Sequence, residues 1–382
     1  MTTAHLTTTS EHAARSTRDR TGWLRELEGA PALGFIGPNW FASVMGTGIV
    51  AIAAASLPFS VPGITVFATT VWVLALLLLV AVVVATAGHW TLHGEVARGH
   101  LDDPMMSHFY GAPAMGLMTV GAGAMLVGHH LIGMPAALAL DWVLWTVGTL
   151  LGLTTAVLVP IRAFTSHEVH EDSAFGGWLM PVVPPMVSAA TGAALIPHLP
   201  AGQAQQTMLL ACYMFFGLTL MCSIVMIAFI WNRLLHHGIG AAGAVPTLWI
   251  VLGPVGQSIT AAHHLGNVTS DVLDSPYGTA FHAFALVYGI PMWGFAMLWL
   301  AIAATLTART AREGLPFSLT WWSFTFPVGT VVTGTSGLAQ LTGNHVLQVA
   351  AGALFVLLLS AWSVVAVRTL RGVHSGKLLK KP

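Results

Sequence analysis

Residues 63–90 read GITVFATTVWVLALLLLVAVVVATAGHW and contain no Asp, Glu, Lys or Arg. A helix needs roughly 20 mostly apolar residues to cross a bilayer, so this stretch is long enough to do so. The whole chain has the same character, because 55% of its 382 residues are hydrophobic and only 7% are charged. Soluble domains carry about 25% charged residues. The composition therefore excludes a soluble enzyme, a nucleic-acid-binding protein and a disordered chain, and it predicts a polytopic membrane protein.

Ten stretches of this kind can be marked along the chain. All of them are predicted to be helices, because the strands of a transmembrane barrel would appear as short segments of alternating hydrophobicity. The predicted spans are 38–57, 63–90, 108–130, 137–162, 176–197, 205–233, 243–266, 277–307, 316–341 and 345–368.

The basic residues predict how these spans are oriented. With the N-terminus in the cytosol, all 14 Lys and Arg residues fall in the tail, in the loops that follow even-numbered spans, or after span 10. The positive-inside rule then places both termini in the cytosol. We expect a cytosolic tail over residues 1–35 that is disordered, or that rests partly on the membrane surface. A transmembrane domain over 36–368 and a basic cytosolic tail over 369–382 would follow.

Prolines recur at intervals of 70 to 75 residues, always in an odd-numbered span. The odd spans are also rich in Gly, Ala, Ser and Thr, whereas the even spans carry bulkier residues. A helical hairpin repeated five times explains both patterns. Because proline kinks a helix and small residues permit close packing, we expect an inner ring of five kinked odd helices around a central pore, or simply five closely packed helices. The recurring prolines are Pro38, Pro113, Pro184, Pro254 and Pro327.

No Asp, Glu, Lys or Arg lies near the centre of any span, and Asp141 lies close to the outer end of span 4. We therefore expect no buried carboxylate. In a parallel ring the N-terminal ends of the odd helices converge, and each helix end is equivalent to roughly half a positive charge. A ring of this kind, lined by Gly, Ser, Thr and Gln, should favour small anions over cations.

Span 9 offers an aromatic side chain that could close the pore. Phe326 shares a helical face with Thr330 and Thr333, whereas Phe324 lies on a more apolar face. If the small polar face lines the ring, Phe326 points into it. The alternative is an ordinary packing aromatic.

Histidines supply the remaining candidates. His264 shares a face with Gln257, which is followed by Ser258, and this face could offer a donor and a titratable group to an anion; a helix-end histidine in water is the alternative. His89 with His93, and the segment His167–Asp172, imitate metal sites but are expected to be solvated, so no metal or other cofactor is predicted. A competing class of protein is a membrane electron carrier with haem ligands among His263, His264 and His282, the last of which is otherwise expected to be a hydrogen-bonded core residue.

Three patches resemble motifs of the tellurite-resistance/C4-dicarboxylate transporter family. Residues 40–49 (WFASVMGTGI) resemble its first-helix motif, residues 252–257 (LGPVGQ) its seventh-helix motif, and residues 321–327 (WWSFTFP) its ninth-helix motif. The resemblance extends over about residues 36–368. The family includes bacterial tellurite-resistance anion channels, plant slow anion channels, yeast malate permeases and fungal sulfite exporters.

The resemblance implies ten helices in five hairpins around a pore in each subunit of a homotrimer. It also implies a phenylalanine gate, carried onto Phe326 with Phe324 as the fallback. Small anions would be the substrates, with C4-dicarboxylates such as malate ahead of sulfite, and the plasma membrane would be the location. No catalytic role and no nucleic-acid partner are expected. The residues expected to line the pore or bind the anion are Ser43, Gly46, Thr47, Gln257, Ser258, His264, Thr330 and Thr333.

Overall fold

Every regular element in the structure, a computed structural model that describes residues 33–380, is helical. The prediction of an all-α protein is therefore confirmed for this part of the chain. Residues 1–32, which make up most of the predicted N-terminal tail, and residues 381–382 lie outside the described residues. The α-helices are α1 (Phe41–Ala55), α2 (Ile64–Leu92), α3 (Gly94–Asp102), α4 (Gly111–Gly123), α5 (His129–Ile132), α6 (Met134–Thr165), α7 (Pro184–Gly192), α8 (Gln203–His237), α9 (Leu252–Val272), α10 (Tyr277–Glu313), α11 (Phe326–Thr342) and α12 (His345–Ser375).

Eight helical stretches among the described residues are long and apolar enough to cross a membrane. The two predicted spans that fall short are 176–197 and 316–341, where we expected continuous helices. The first contains only the nine residues of α7, between 3₁₀ turns, and the second contains the 17 residues of α11 after a 3₁₀ turn. Proline explains both interruptions, since it lacks the backbone N–H and clashes with the preceding turn. At the other end of the chain, α12 continues to Ser375, into the segment expected to be a tail.

Burial separates the helices into two groups. In the stretches Pro38–Ala55 and Ala242–Val272, 83% of the 18 most apolar consecutive residues are buried. In α8 and in α10 the corresponding share is 22%. The buried group, called the inner helices, is α1, α4, α7, α9 and α11; the outer helices are α2, α6, α8, α10 and α12. The outer helices expose large apolar side chains, such as Phe164 and Val287. A surface of this kind requires a hydrocarbon environment, in agreement with a membrane protein.

The contacts between helices follow the order of the chain. Each inner helix packs against the outer helix that comes next in the sequence. The inner helices also contact one another in sequence, from α1 to α4, α7, α9 and α11, and α11 contacts α1 again. The chain therefore returns to its starting point, and its last inner helix completes a closed series of neighbours.

Aromatic side chains fasten each outer helix to the inner helix of the following pair. Trp362 of α12, for example, donates its indole N–H to the Thr47 hydroxyl of α1 at 3.2 Å, which joins the last pair to the first. Each of these bonds satisfies an aromatic polar group in an apolar environment and ties two pairs together. The other four bonds are Trp72 to the carbonyl of Val120, Trp145 to the carbonyl of Ser188, Tyr213 to the Thr269 hydroxyl, and Trp293 to the Thr335 hydroxyl.

We had expected the recurring prolines to bend continuous helices. Instead, they lie at or near the start of helical elements. Pro38 opens a 3₁₀ turn that leads into α1. The other four lie within the first three residues of α4, α7, α9 and α11. At these positions the missing N–H has no intrahelical partner to lose, and the fixed φ suits a helix start. Each inner segment therefore consists of a 3₁₀ part followed by an α-helical part.

One carboxyl group contradicts the expectation that none is buried. The Asp141 side chain on α6 is 0% exposed, and neither of its oxygens has a hydrogen-bond partner. It packs against Gly121 of α4, and α4 continues beside it as a π-helical turn over Ala124–Gly128. Because Asp141 lies close to the end of span 4, we had expected it near water. The neighbouring helix α4 covers it. An ionised carboxylate without a partner would cost several kcal/mol here.

Candidate functional site

Two cavities lie between the inner helices, and the Phe326 side chain lines both of them. The first, called the N-side cavity, is lined from the N-terminal parts of the inner segments by Ala42, Met45, Phe109, Met115, Met180, Val183, Ile250, Gly253, Ser323, Phe326 and Pro327. The second, called the C-side cavity, is lined by Ile49, Ile52, Ser56, Thr119, Ala122, Met125, Leu126, Val187, Ala190, Thr191, Ala194, Gln257, Thr260, His264, Phe326 and Thr333.

The order of these residues gives the direction of the helices. If Phe326, which lines both cavities, is left aside, the residues of every inner segment that line the N-side cavity precede those that line the C-side cavity. All five segments therefore run in the same direction past the Phe326 ring, and all five contribute to both cavities.

The cavities differ greatly in size. The N-side cavity has a volume of about 10 Å³, close to the least that a single water needs. The C-side cavity has a volume of about 250 Å³, which leaves room for several waters or a small anion. Phe326 is only 3% exposed, because residues from all five inner segments surround the narrow space on its N-side. The Phe326 side chain therefore lies between a very narrow cavity and a wide one.

The C-side cavity holds a ladder of polar groups on α9. Gln257, Thr260 and His264 follow one another at intervals of about one helical turn. The Thr260 hydroxyl lies 2.7 Å from the Thr333 hydroxyl of α11, so the two helices share the middle rung. Gln257 is 5% exposed, and its side-chain oxygen has no hydrogen-bond partner. The C-side cavity thus presents uncharged polar groups on the C-side of the Phe326 ring.

The electrostatics of the site come from the backbone. No Asp, Glu, Lys or Arg of residues 33–380 lines either cavity. None of the five inner α-helices has an acidic residue in its first turn, so no side chain there neutralises the positive end of its dipole. Since four of these helices begin on the N-side of Phe326 and α11 begins at Phe326 itself, this arrangement favours negative charge there.

Four of the predicted site residues line the C-side cavity, namely Phe326, Gln257, His264 and Thr333. Two others bond to outer helices: Thr47 accepts from Trp362, and Ser258 accepts from the Tyr288 hydroxyl at 2.8 Å. Helical periodicity identifies residues that share a face, but it does not say which neighbour that face meets.

The other predicted residues also lie outside the C-side cavity. Ser43 donates to the carbonyl of Trp40, in the 3₁₀ turn before α1, at 2.6 Å. Thr330 has its shortest hydrogen bond, 2.7 Å, to the carbonyl of Pro327 in its own helix, and its hydroxyl also lies 3.2 Å from two carbonyls at the start of α9. Gly46 lies against Thr325 and Trp322, where a Cβ would overlap both side chains. These residues fill the contacts between inner segments.

Phe324 packs away from both cavities, with its ring centroid 5.2 Å from that of Trp249 and 5.6 Å from that of Trp321. The sequence interpretation also missed Thr260, although Thr260 lies three residues after Gln257 and four before His264 and so shares their face. Thr119, Thr191 and Ser56 were missed because nothing in their own spans marks them.

The remaining histidines do not gather at the site. His263 is 7% exposed and packs against Gly337, and His282 is exposed on α10, where we had expected a core residue. His89 is buried where we had expected a solvated residue, because its Nδ1–H donates to the carbonyl of Leu33 at 2.8 Å and its ring stacks on His100. Burial, and secondarily His89, lowers the pKa of His100. The nearby Asp103 carboxylate acts in the opposite direction. Residues 33–380 contain no group of three or more His, Cys, Asp or Glu suited to a metal ion.

Comparison with known proteins gives a match to the voltage-dependent anion channel family, SLAC1, over residues 36–370. An uncharacterized transporter of Methanocaldococcus jannaschii is 28% identical over 90% of this chain and 95% of its own length. The sulfite efflux pump SSU1 of Arthroderma otae is 26% identical over 97% of both chains. A malic acid transport protein of Schizosaccharomyces pombe is 22% identical over 85% of this chain and 75% of its own length.

Proposed function

Because this chain belongs to the voltage-dependent anion channel family (SLAC1), an anion-transport family, we propose that it carries small anions across a membrane along the path between its inner helices. The observation that carries this proposal is the pair of cavities on either side of Phe326, both lined by all five inner segments. In this proposal ten helices in five hairpins surround the path, and the two interrupted segments cross the membrane with the rest. Phe326 is its gate.

The uncompensated N-terminal helix ends and the polar ladder of the C-side cavity support selectivity for anions. Gln257 donates from its amide, and the Thr260 and Thr333 hydroxyls can rotate to donate when an anion replaces their mutual hydrogen bond. The protein then acts on no covalent bond, and we assign it transport and no enzymatic activity.

Sulfite and malate are the two candidate substrates, and we give them equal weight. One relative is named as a sulfite efflux pump and another as a malic acid transport protein. The C-side cavity has no Arg or Lys among its lining residues that could clamp a dicarboxylate, so a compact inorganic anion suits it at least as well as malate.

For the setting of the protein, we propose the plasma membrane with both termini, including tails over 1–35 and 369–382, in the cytosol. The distribution of Lys and Arg supports this orientation. It places the N-side cavity towards the cytosol. We further propose a homotrimer with one path per subunit, which the mass of the detergent-solubilised protein, corrected for bound detergent, would test.

Uptake into proteoliposomes tests the proposed function. We expect saturable uptake of labelled sulfite or malate, with the preferred anion competing against the other and against chloride and nitrate. Uptake no faster than in protein-free liposomes, for every anion tested, would contradict the proposal. The order of competition identifies the substrate.

A further inference from the structure

His264 differs from every other residue of the C-side cavity because it is the only titratable side chain among the lining residues that the structure describes. It lies at the exposed end of the polar ladder, one turn after Thr260. Its side chain is exposed although α9 is an inner helix, since the cavity opens beside it. Any solute that enters the cavity from this end meets the imidazole before it reaches Gln257 and Phe326.

A hydrogen bond determines which nitrogen of the His264 ring carries the proton. The Nδ1 atom lies 3.2 Å from the carbonyl oxygen of Ala190 on α7. A carbonyl oxygen only accepts hydrogen bonds, so Nδ1 is the donor and holds the proton of the neutral ring. The Nε2 atom then carries a lone pair, which repels an anion. A second proton on Nε2 converts this acceptor into a charged donor without disturbing the bond to Ala190.

Few titratable groups lie on the elements packed around His264. His263 is adjacent on α9, with ring centroids 5.6 Å apart, but it packs against Gly337, and His282 of α10 approaches His263. On α8, Tyr213 bonds to Thr269, more than a turn beyond His264. Cys212 of α8 lies beside Gly192 of α7, whereas α1, α4, α7 and α11 themselves contain no titratable residue. Asp141 of α6 faces Gly121, and this residue does not line the cavity.

We propose that His264 is the entry site of the anion path and that it accepts a small anion in its doubly protonated form, through Nε2–H. This inference rests on the proposed function, and it adds that protons control access from the C-side. The anion then passes down the ladder from His264 to the shared rung of Thr260 and Thr333, and on to Gln257 above the gate. Several weak sites in series allow an anion both to enter and to leave.

Uptake of labelled chloride tests the inference, because chloride itself does not titrate. The same pH is set on both faces of the proteoliposomes, which removes any effect of a proton gradient. We expect the KM for chloride to fall about fivefold between about pH 8 and about pH 5. In His264→Gln, which keeps a polar side chain but cannot gain a charge, the KM should be independent of pH over that range.

His263→Gln is the matched control, because His263 is the neighbouring histidine and lies outside the cavity. It should retain the pH dependence. His264→Arg, with a permanent charge, should have a low KM at both pH values. Equal pH dependence in wild type and His264→Gln, with chloride uptake intact, would overturn the inference and leave the proposed function standing. Absence of chloride uptake by wild type at every pH would overturn the inference. If sulfite and malate are not taken up either, by a protein that elutes as a single species in detergent, the proposed function is contradicted as well.

Discussion

At the scale of single residues, the site depends on where one aromatic ring lies. Phe326 and Phe324 are two positions apart, yet only Phe326 lines the cavities. Phe324 is held between Trp249 and Trp321. The periodicity of span 9 favoured Phe326 because Thr333 shares its face, and the structure places both at the C-side cavity. The same periodicity put Thr330 there, but its hydroxyl bonds to the carbonyl of Pro327 in α11 and faces carbonyls at the start of α9.

Replacing the ring tests its role as a gate. We expect Phe326→Ala to increase anion flux in proteoliposomes, because removing the ring connects the two cavities. The increase should be roughly tenfold for every 1.4 kcal/mol that the ring adds to the barrier. Phe324→Ala is the matched control and should leave the flux near that of wild type. Equal fluxes in wild type and Phe326→Ala would remove Phe326 as the gate without affecting the fold.

At the scale of helices, the inner segments are divided into a 3₁₀ part and an α-helical part. Pro38 opens the 3₁₀ part of its segment, and the other recurring prolines lie within the first three residues of the α-helical part. Hydropathy predicted the position of these segments, and the spacing of the prolines predicted their repetition. The prolines alone did not reveal the form of the break, because proline is compatible with both a kink and a helix start. Hydropathy also treated 176–197 as one span, although its several prolines leave only a short α-helix.

The close approach of α9 and α11 provides a test at this scale. A Cβ on Gly256 would lie 2.6 Å from backbone atoms of Thr330 and Val331, whereas a Cβ on Gly253 would find its nearest neighbour, in Pro327, at 4.0 Å. We expect Gly256→Ala to lower thermal stability in detergent by an amount equivalent to about 1–3 kcal/mol, the usual cost of overpacking. Gly253→Ala, from the same motif, is the control and should remain close to wild type. Equal melting temperatures for the two variants would contradict the packing described for α9 and α11.

At the scale of the whole molecule, the five inner helices form a closed series and aromatic bonds connect successive pairs. Composition predicted a membrane protein, and small residues predicted which spans are buried inside. Residue spacing did not predict the bond between Trp362 and Thr47, because the two residues lie 315 positions apart. The expectation that Asp141 lies near water was wrong for the same reason. Its burial depends on α4 and the π-helical turn beside it. Contacts between distant segments are the part that residue spacing could not predict.

We propose above all that the inner helices enclose a path for anions and that Phe326 closes this path. The reversal potential of Phe326→Ala in planar bilayers, measured across a gradient of potassium chloride, tests this claim most directly. We expect a current that reverses near the equilibrium potential of chloride, and a much smaller current from wild type under the same conditions. A reversal near the potassium potential, or no current from either protein, would contradict it.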